Sequence, residues 1–191
     1  PEYPPTTCGD FSKPENRAAC EKALADVKAG FGQEQPLVIG GQRLKGSGTC
    51  ASTNPSRPSE VLGRFQLGTP EQAAKSVRYA NVEKKYGARF WEVGNEPDIY
   101  PRRAGEPDFS PAWYNERFRA YAQAMKAADP NIKLFGPVLS NKLDEWMRPF
   151  ISECGDIADG LSWHFYGGNS KQSETALLAS TANFDQQVAK V

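Results

Sequence analysis

The sequence predicts an α/β fold in which parallel strands alternate with helices. Three observations lead there. Short runs around Leu37-Val38-Ile39, Phe90-Trp91-Glu92-Val93, Ile132 to Val138 and Leu161 to Tyr166 carry the β-branched and aromatic residues of strands, at strand length. After each lies a stretch with helix-start signals or apolar residues three and four apart, the spacing of one helix face. The repeated strand-then-helix order needs crossover connections, hence a parallel sheet covered by helices. Strands are expected near residues 37–40, 89–94, 132–137 and 161–165, parallel and adjacent in that order.

In chain order, Pro1 to Asp10 is proline-rich and reads as a loop. Ser12 and Glu15 have capping-box spacing with Pro14 in the first turn; a helix follows to about Lys28, with Ala19, Ala23, Leu24 and Val27 on one face and Gly30 as its stop. Leu37-Val38-Ile39 is wholly apolar, as in a strand buried on both faces. Gly40 to Gly68, rich in Gly, Ser, Thr and Pro, reads as one long functional loop. Thr69-Pro70-Glu71-Gln72 supplies an N-cap, a first-turn Pro and a Gln at N3; Ala73, Val77 and Ala80 form that helix's stripe and Gly87 ends it. Ser110-Pro111 opens a helix with Tyr114, Phe118, Tyr121, Met125 and Ala128 on one face, broken at Asp129-Pro130. Leu143, Met147, Phe150 and Ile151 mark another helix. Glu174 to Val191 marks the last, with Leu177, Thr181, Phe184, Val188 and Val191 in line. Trp113, Trp146 and Tyr114 fall at helical spacings and are most simply core or helix surface.

The chemistry concentrates in Phe90-Trp91-Glu92-Val93-Gly94-Asn95-Glu96-Pro97. Pro97 cannot donate to a sheet ladder, so the strand ends near Glu96. That places a carboxylate at the carboxyl end of a parallel strand, where α/β folds put their active sites. A plain turn with Asn95 in left-handed geometry and a solvated Glu96 would use the same residues. Period-two alternation sends Trp91 and Val93 to the helix side, and Glu92, Gly94 and Glu96 to the other. The same parity in the last strand sends Leu161, Trp163 and Phe165 to the helices, and Ser162, His164 and Tyr166 toward Glu96. His164 is the sole histidine, and a hydrogen-bonded core histidine is its other reading. Asp98 reads as solvated. Glu92 reads as structural and in need of a partner such as Arg43 or Arg89.

Trp91 to Pro97 resembles the strand-four signature of the clan A glycoside hydrolases, and Asp159-Gly160-Leu161-Ser162-Trp163-His164-Phe165-Tyr166 resembles their strand-six pattern. The resemblance runs from residue 37 onward. It implies a partial TIM (β/α)8 barrel whose four strand-helix units match strands three to six, residues 1–191 being the central part of one catalytic domain. It also implies a retaining mechanism with Glu96 as general acid/base, Asn95 contacting the sugar 2-hydroxyl, and His164 and Tyr166 lining the cleft. Retaining hydrolysis needs a second carboxylate about 5–5.5 Å away. In the clan this is a Glu after strand seven, beyond Val191. Asp144, Glu145, Glu153 and Asp156 fall on or after the helix following the third strand, away from the cleft, and are rejected as substitutes. The wording is closest to the heparanase-like β-glucuronidase, β-xylosidase and α-arabinofuranosidase branch. A non-catalytic carbohydrate-binding or structural protein on a degenerate barrel is the other reading.

Lys and Arg total 23, as do Asp and Glu, so no charge excess points to nucleic acid. Mean hydropathy is −0.62, and no apolar run is long enough to span a bilayer. Cys8, Cys20, Cys50 and Cys154 include no Cys-x-x-Cys and accompany one His, so neither a metal site nor a cofactor is expected. An even count suits disulfides in a secreted or periplasmic protein, with buried thiols as the alternative; the barrel resemblance makes Cys8 and Cys50 a plausible pair. The start at Pro1, a helix running uncapped to Val191 and the unclosed sheet give the expectation of a larger protein, the rest of the barrel coming from missing segments or another chain. The fragment alone is expected to be inactive.

Overall fold

The computed structural model describes residues 9–100, 109–166, 171, 173–179 and 188–189. The chain forms two compact units, Pro1–Gly68 and Thr69–Val191. Both mix helices with strands.

The first unit begins with helix α1, Pro14–Ala29, which has no buried residue along its length. The expected Ser12 cap is displaced. The Asp10 carboxylate accepts from both the Ser12 N–H (3.0 Å) and its hydroxyl (2.7 Å), so Lys13 becomes the N-cap, without a side-chain bond. Strands β1 (Glu34–Gln35), β2 (Leu37–Ile39), β3 (Gln42–Leu44), β4 (Gly48–Asn54) and β5 (Arg57–Leu67) follow. They form a three-stranded sheet, β1-β5-β4, and a separate β2–β3 hairpin.

Two expectations fail here. Leu37-Val38-Ile39 is not a doubly buried strand of the parallel sheet. Gly40 (φ 58°) and Gly41 (φ 77°) form a two-residue turn that folds Ile39 back onto Gln42, an antiparallel hairpin, and leaves Val38 63% exposed. Nor is the stretch from Gly40 to Gly68 a loop. A second antiparallel pair, β4 on β5, closes at Asn54↔Arg57, where the Asn54 side chain accepts from the Ser56 N–H at 3.0 Å.

In the second unit, α2 (Pro70–Val77) carries the predicted capping box in full: Thr69 Oγ1 accepts from the Gln72 N–H and Gln72 Oε1 from the Thr69 N–H. The α-helix stops earlier than expected, passing into a π-helical segment, Arg78–Glu83, and its buried stripe is Ala74 and Val77 rather than Ala73, Val77 and Ala80. Gly87 (φ +67°) turns the chain into β6, Phe90–Glu92. After a 3-10 turn at Pro97–Ile99 come α3 (Pro111–Ala128), β7 (Lys133–Leu139), α4 (Leu143–Cys154), β8 (Gly160–Trp163) and α5 (Glu174–Leu178). Of the last predicted helix, residues 180–187, 190 and 191 lie outside the described residues.

The sheet order is β6-β7-β8, every pairing parallel, so the last three of the four predicted strands lie as expected. Ridges of α3 and α4 cover one sheet face. Tyr114, Phe118, Met125, Trp146, Met147 and Phe150 are buried there with Leu134 and Leu139, and Trp91, Val93, Leu161 and Trp163 pack against them. The predicted helix side is thus observed for Trp91, Val93, Leu161 and Trp163, with Ile151, 43% exposed, falling off the stripe. Gly136 permits the approach of α3, since a Cβ there would sit 2.7 Å from the Tyr114 hydroxyl and 2.9 Å from the Phe118 ring.

Asp159 ties the amino ends of β7 and β8 together. Its carboxylate accepts from the Leu134 N–H (2.9 Å) and pairs with Lys126 (2.6 Å) and Lys133 (2.9 Å). Burial alone would raise its pKa, but the Lys126 bond, the Leu134 N–H and Lys133 together hold it at about 2. A native pKa below the unfolded value of about 3.9 stabilises the fold above that pH, and the benefit disappears as pH falls through the native pKa. The urea midpoint is therefore expected to fall between about pH 4 and pH 2, and Asp159→Asn to lower it at pH 6 and flatten that decline. An unchanged pH dependence in the variant would refute the assignment.

Cys20, Cys50 and Cys154 are free thiols, which gives the disulfide expectation no support; Cys8 lies outside the described residues. Cys154 is fully buried in the core, and burial pushes its thiol up to about 11. No helix among the described residues is long and apolar enough to cross a membrane.

Candidate active site

The site is built where β6 ends. Gly94 (φ +102°) swings the chain out of the strand beside the Tyr114 ring, which lies 3.2 Å from where a Cβ would be. The Tyr114 hydroxyl donates to the Val93 carbonyl at 2.5 Å, and burial pushes its pKa well above the usual phenol range, which keeps it a donor.

Glu96, not Asn95, takes the left-handed conformation at this corner (φ 49°, ψ 48°). Its N–H donates to the Val138 carbonyl at 2.8 Å. Val138 is itself at φ 57° and 1% exposed. A β-branched residue there costs about 1–3 kcal/mol and persists only where its surroundings over-determine it. The β7–β8 register shifts between Pro137 and Leu139, a bulge in β7 that re-aims its last carbonyls. One of them, Leu139 O, accepts from the His164 N–H at 2.7 Å.

These backbone contacts bring the predicted pair together. His164 Nδ1 lies 2.6 Å from Glu96 Oε1, the two side chains being 33% and 21% exposed. Whichever of the two holds the proton, this is a direct hydrogen bond between a carboxyl and an imidazole at the carboxyl ends of parallel strands. Tyr166 stands edge-on to His164, ring centroids 6.4 Å apart, and is 73% exposed. Asn95 is exposed at the corner beside Glu96. Glu92 is exposed rather than buried in want of a cation. The rejected carboxylates have other partners or positions: Asp144 and Glu145 lie in the first turn of α4, Glu153 accepts from Asn115, and Asp156 pairs with Arg119.

Asp98 is the residue that sequence reasoning misjudged. It is 4% exposed, and its carboxylate accepts from the N–H groups of Ser140 (3.0 Å), Asn141 (2.8 Å) and Lys142 (3.0 Å). Burial opposes ionisation, but these three bonds outweigh it and hold the pKa below the ordinary carboxylate range. No local pattern announces this, because the three donors are 42 to 44 residues away.

A cavity of about 520 Å³ lies at the opposite, amino end of the strands, bounded by Asn81, Arg89, Asp129 and Lys133. Another of about 260 Å³ lies on the helix side, against Val93, Pro97, Trp113 and Arg117. Neither is lined by Glu96 or His164. Among the described residues no group of three or more His, Cys, Asp and Glu side chains could share a metal ion.

Comparison with known proteins gives two different signals. No family model matches the chain. The sequence is 36% identical over 80 residues to 1-pyrroline-5-carboxylate dehydrogenase of Geobacillus sp. (strain WCH70), covering 42% of this chain and 16% of that protein. It is 41% identical over 96 residues to the enzyme of the same name from Bacillus pumilus (strain SAFR-032), covering 45% and 19%. The chain thus spans less than a fifth of the length of these relatives. The fold is similar to that of an α-L-arabinofuranosidase from Thermotoga maritima solved in an arabinose complex, with a TM-score of 0.51 and 23% identity over 65% of this chain and 28% of that one. A GH39 β-xylosidase from Caulobacter crescentus superposes with a TM-score of 0.44 at 22% identity, over 62% of this chain and 26% of that one. The structural neighbours include glycosidases and 1-pyrroline-5-carboxylate dehydrogenases, all at low identity, and the sequence relatives carry the dehydrogenase name.

Proposed function

We propose that the second unit belongs to a retaining glycoside hydrolase acting on O-glycosidic bonds, with Glu96 as general acid/base. The observation that carries this reading is the Glu96–His164 hydrogen bond at the carboxyl ends of parallel strands. With Oε1 engaged by His164, Oε2 is the oxygen free to meet a leaving group among the described residues. In the first half-reaction the protonated Glu96 carboxyl gives its proton to the glycosidic oxygen as a second carboxylate attacks the anomeric carbon. In the second half-reaction the Glu96 carboxylate takes a proton from water as the glycosyl ester is cleaved. The attacking carboxylate comes from outside these 191 residues, by the clan resemblance from the end of strand seven. Asn95 holds the sugar 2-hydroxyl, and Tyr166 offers an exposed ring for a sugar face beside the acid. A polysaccharide substrate favours a secreted or periplasmic location.

The second reading, a segment of a dehydrogenase, is favoured by the 36–41% identity to the two bacillar enzymes. One assay separates them. The complete protein is offered aryl arabinofuranosides and xylosides in one arm, and 1-pyrroline-5-carboxylate with NAD in the other. Release of the phenol, with a steady-state rate that falls in Glu96→Ala and is restored by added azide, supports the hydrolase. Reduction of NAD without phenol release would replace it with the dehydrogenase. Sugar binding without either reaction would leave a carbohydrate-binding protein.

A further inference from the structure

Resting on the acid/base reading of Glu96 above, we infer that Asp98 is a positioning residue. By clamping the bulged end of β7 to the Asn95–Pro97 corner, it sets Glu96 against His164. Three connections leave the end of β7. The Val138 carbonyl holds the Glu96 N–H at 2.8 Å, and the Leu139 carbonyl holds the His164 N–H at 2.7 Å. The next three N–H groups, of Ser140, Asn141 and Lys142, all converge on the Asp98 carboxylate. The two members of the pair are therefore oriented by adjacent peptide groups of one strand, immediately before the segment that Asp98 grips.

The bulge does not hold itself. Val138 sits at φ 57°, where a β-branched residue is strained, and would relax toward extended geometry if the segment after it were released. That relaxation rotates the carbonyls of Val138 and Leu139 away from Glu96 and His164. Asp98 follows Glu96 by two residues, in the middle of the turn Pro97–Ile99, so its carboxylate reaches across from the very corner that carries the acid. Its charge is met by backbone N–H dipoles rather than by a cation among the described residues. Removing the carboxylate leaves three donors without their acceptor.

His164 is the sole histidine, so the ring nitrogens of the 191-residue chain give one unambiguous set of NMR signals after ¹⁵N-histidine labelling. The Nδ1 site is expected to show a hydrogen-bonded proton that disappears in Glu96→Ala, which assigns it to the pair. In Asp98→Ala, at a temperature where circular dichroism shows the variant folded, that proton is expected to exchange at least about tenfold faster, equivalent to about 1.4 kcal/mol lost from the closed geometry. Asp98→Asn keeps one acceptor oxygen but turns an NH2 toward a donor, and is expected to fall between. A merely structural Asp98 would lower the melting temperature and leave the imidazole signal unchanged, which overturns the inference. So would failure of both variants to fold, which would make Asp98 a folding residue.

The two readings fail separately. Loss of the signal in Asp98→Ala, when the complete protein shows no glycosidase activity, keeps the positioning role and removes the hydrolase. An intact signal in that variant, with hydrolysis sensitive to Glu96→Gln, does the reverse.

Discussion

Glu96→Gln in the complete protein is expected to lower hydrolysis of substrates with poor leaving groups by about 10²–10⁴-fold, the usual contribution of a positioned acid or base. Aryl glycosides with activated phenols should lose far less in the first step. A stable phenolate departs with little protonation, whereas an alkoxide needs the proton that Gln cannot give. With such substrates the glycosyl-enzyme should accumulate, because Gln also cannot take a proton from water. Azide needs no base, and should restore turnover and yield a glycosyl azide of retained configuration. Steady-state rates with one good and one poor leaving group, with and without azide, read this directly. Equal loss on both, without rescue, would show that Glu96 is not the acid/base. It would then be the nucleophile, or merely part of the hydrogen bond with His164.

Phe118→Ala is expected to destabilise the second unit by about 3–5 kcal/mol, the range for deleting a fully buried aromatic side chain. Phe118 is 1% exposed, packs edge-on against Phe150 with centroids 4.8 Å apart, and lies against Gly136, the glycine that brings α3 onto β7. The site depends on that contact, since Tyr114, one turn earlier on α3, holds the Val93 carbonyl just before the Glu96 corner. Ile151→Ala, on the exposed side of α4, should by contrast change stability within about 0.5 kcal/mol. Urea titrations of the two variants provide the comparison. A loss below about 1 kcal/mol for Phe118→Ala would mean that the α3–sheet interface is not the centre of this unit's core.

The residues that the chain determined by itself are those whose reason lies within a few positions. Thr69 to Gln72 is a capping box because both of its bonds close within one turn, and α3 begins at Ser110-Pro111 for the same kind of reason. The helix-facing set Trp91, Val93, Leu161 and Trp163 follows a period of two imposed by the strand itself, so that face was legible. The strand end read from Pro97 was placed too late: β6 stops at Glu92, and Gly94 (φ +102°) turns the chain out of the strand before the proline is reached.

Tertiary structure decided the rest. A run such as Leu37-Val38-Ile39 has no way to declare whether its partner is a parallel strand far along the chain or the next segment, and the Gly40-Gly41 turn sent it into a hairpin. Asp98 looks like any surface acid beside a proline, because its donors lie 42 to 44 residues on. The Glu96–His164 bond spans 68 residues, and its 2.6 Å separation rests on the peptide groups of Val138 and Leu139, which a bulge in β7 turns toward them. Local backbone preference can place an acid at a strand end and a histidine at another. The distance between them is set by main-chain hydrogen bonds to the strand that lies between, and those exist only in the folded sheet.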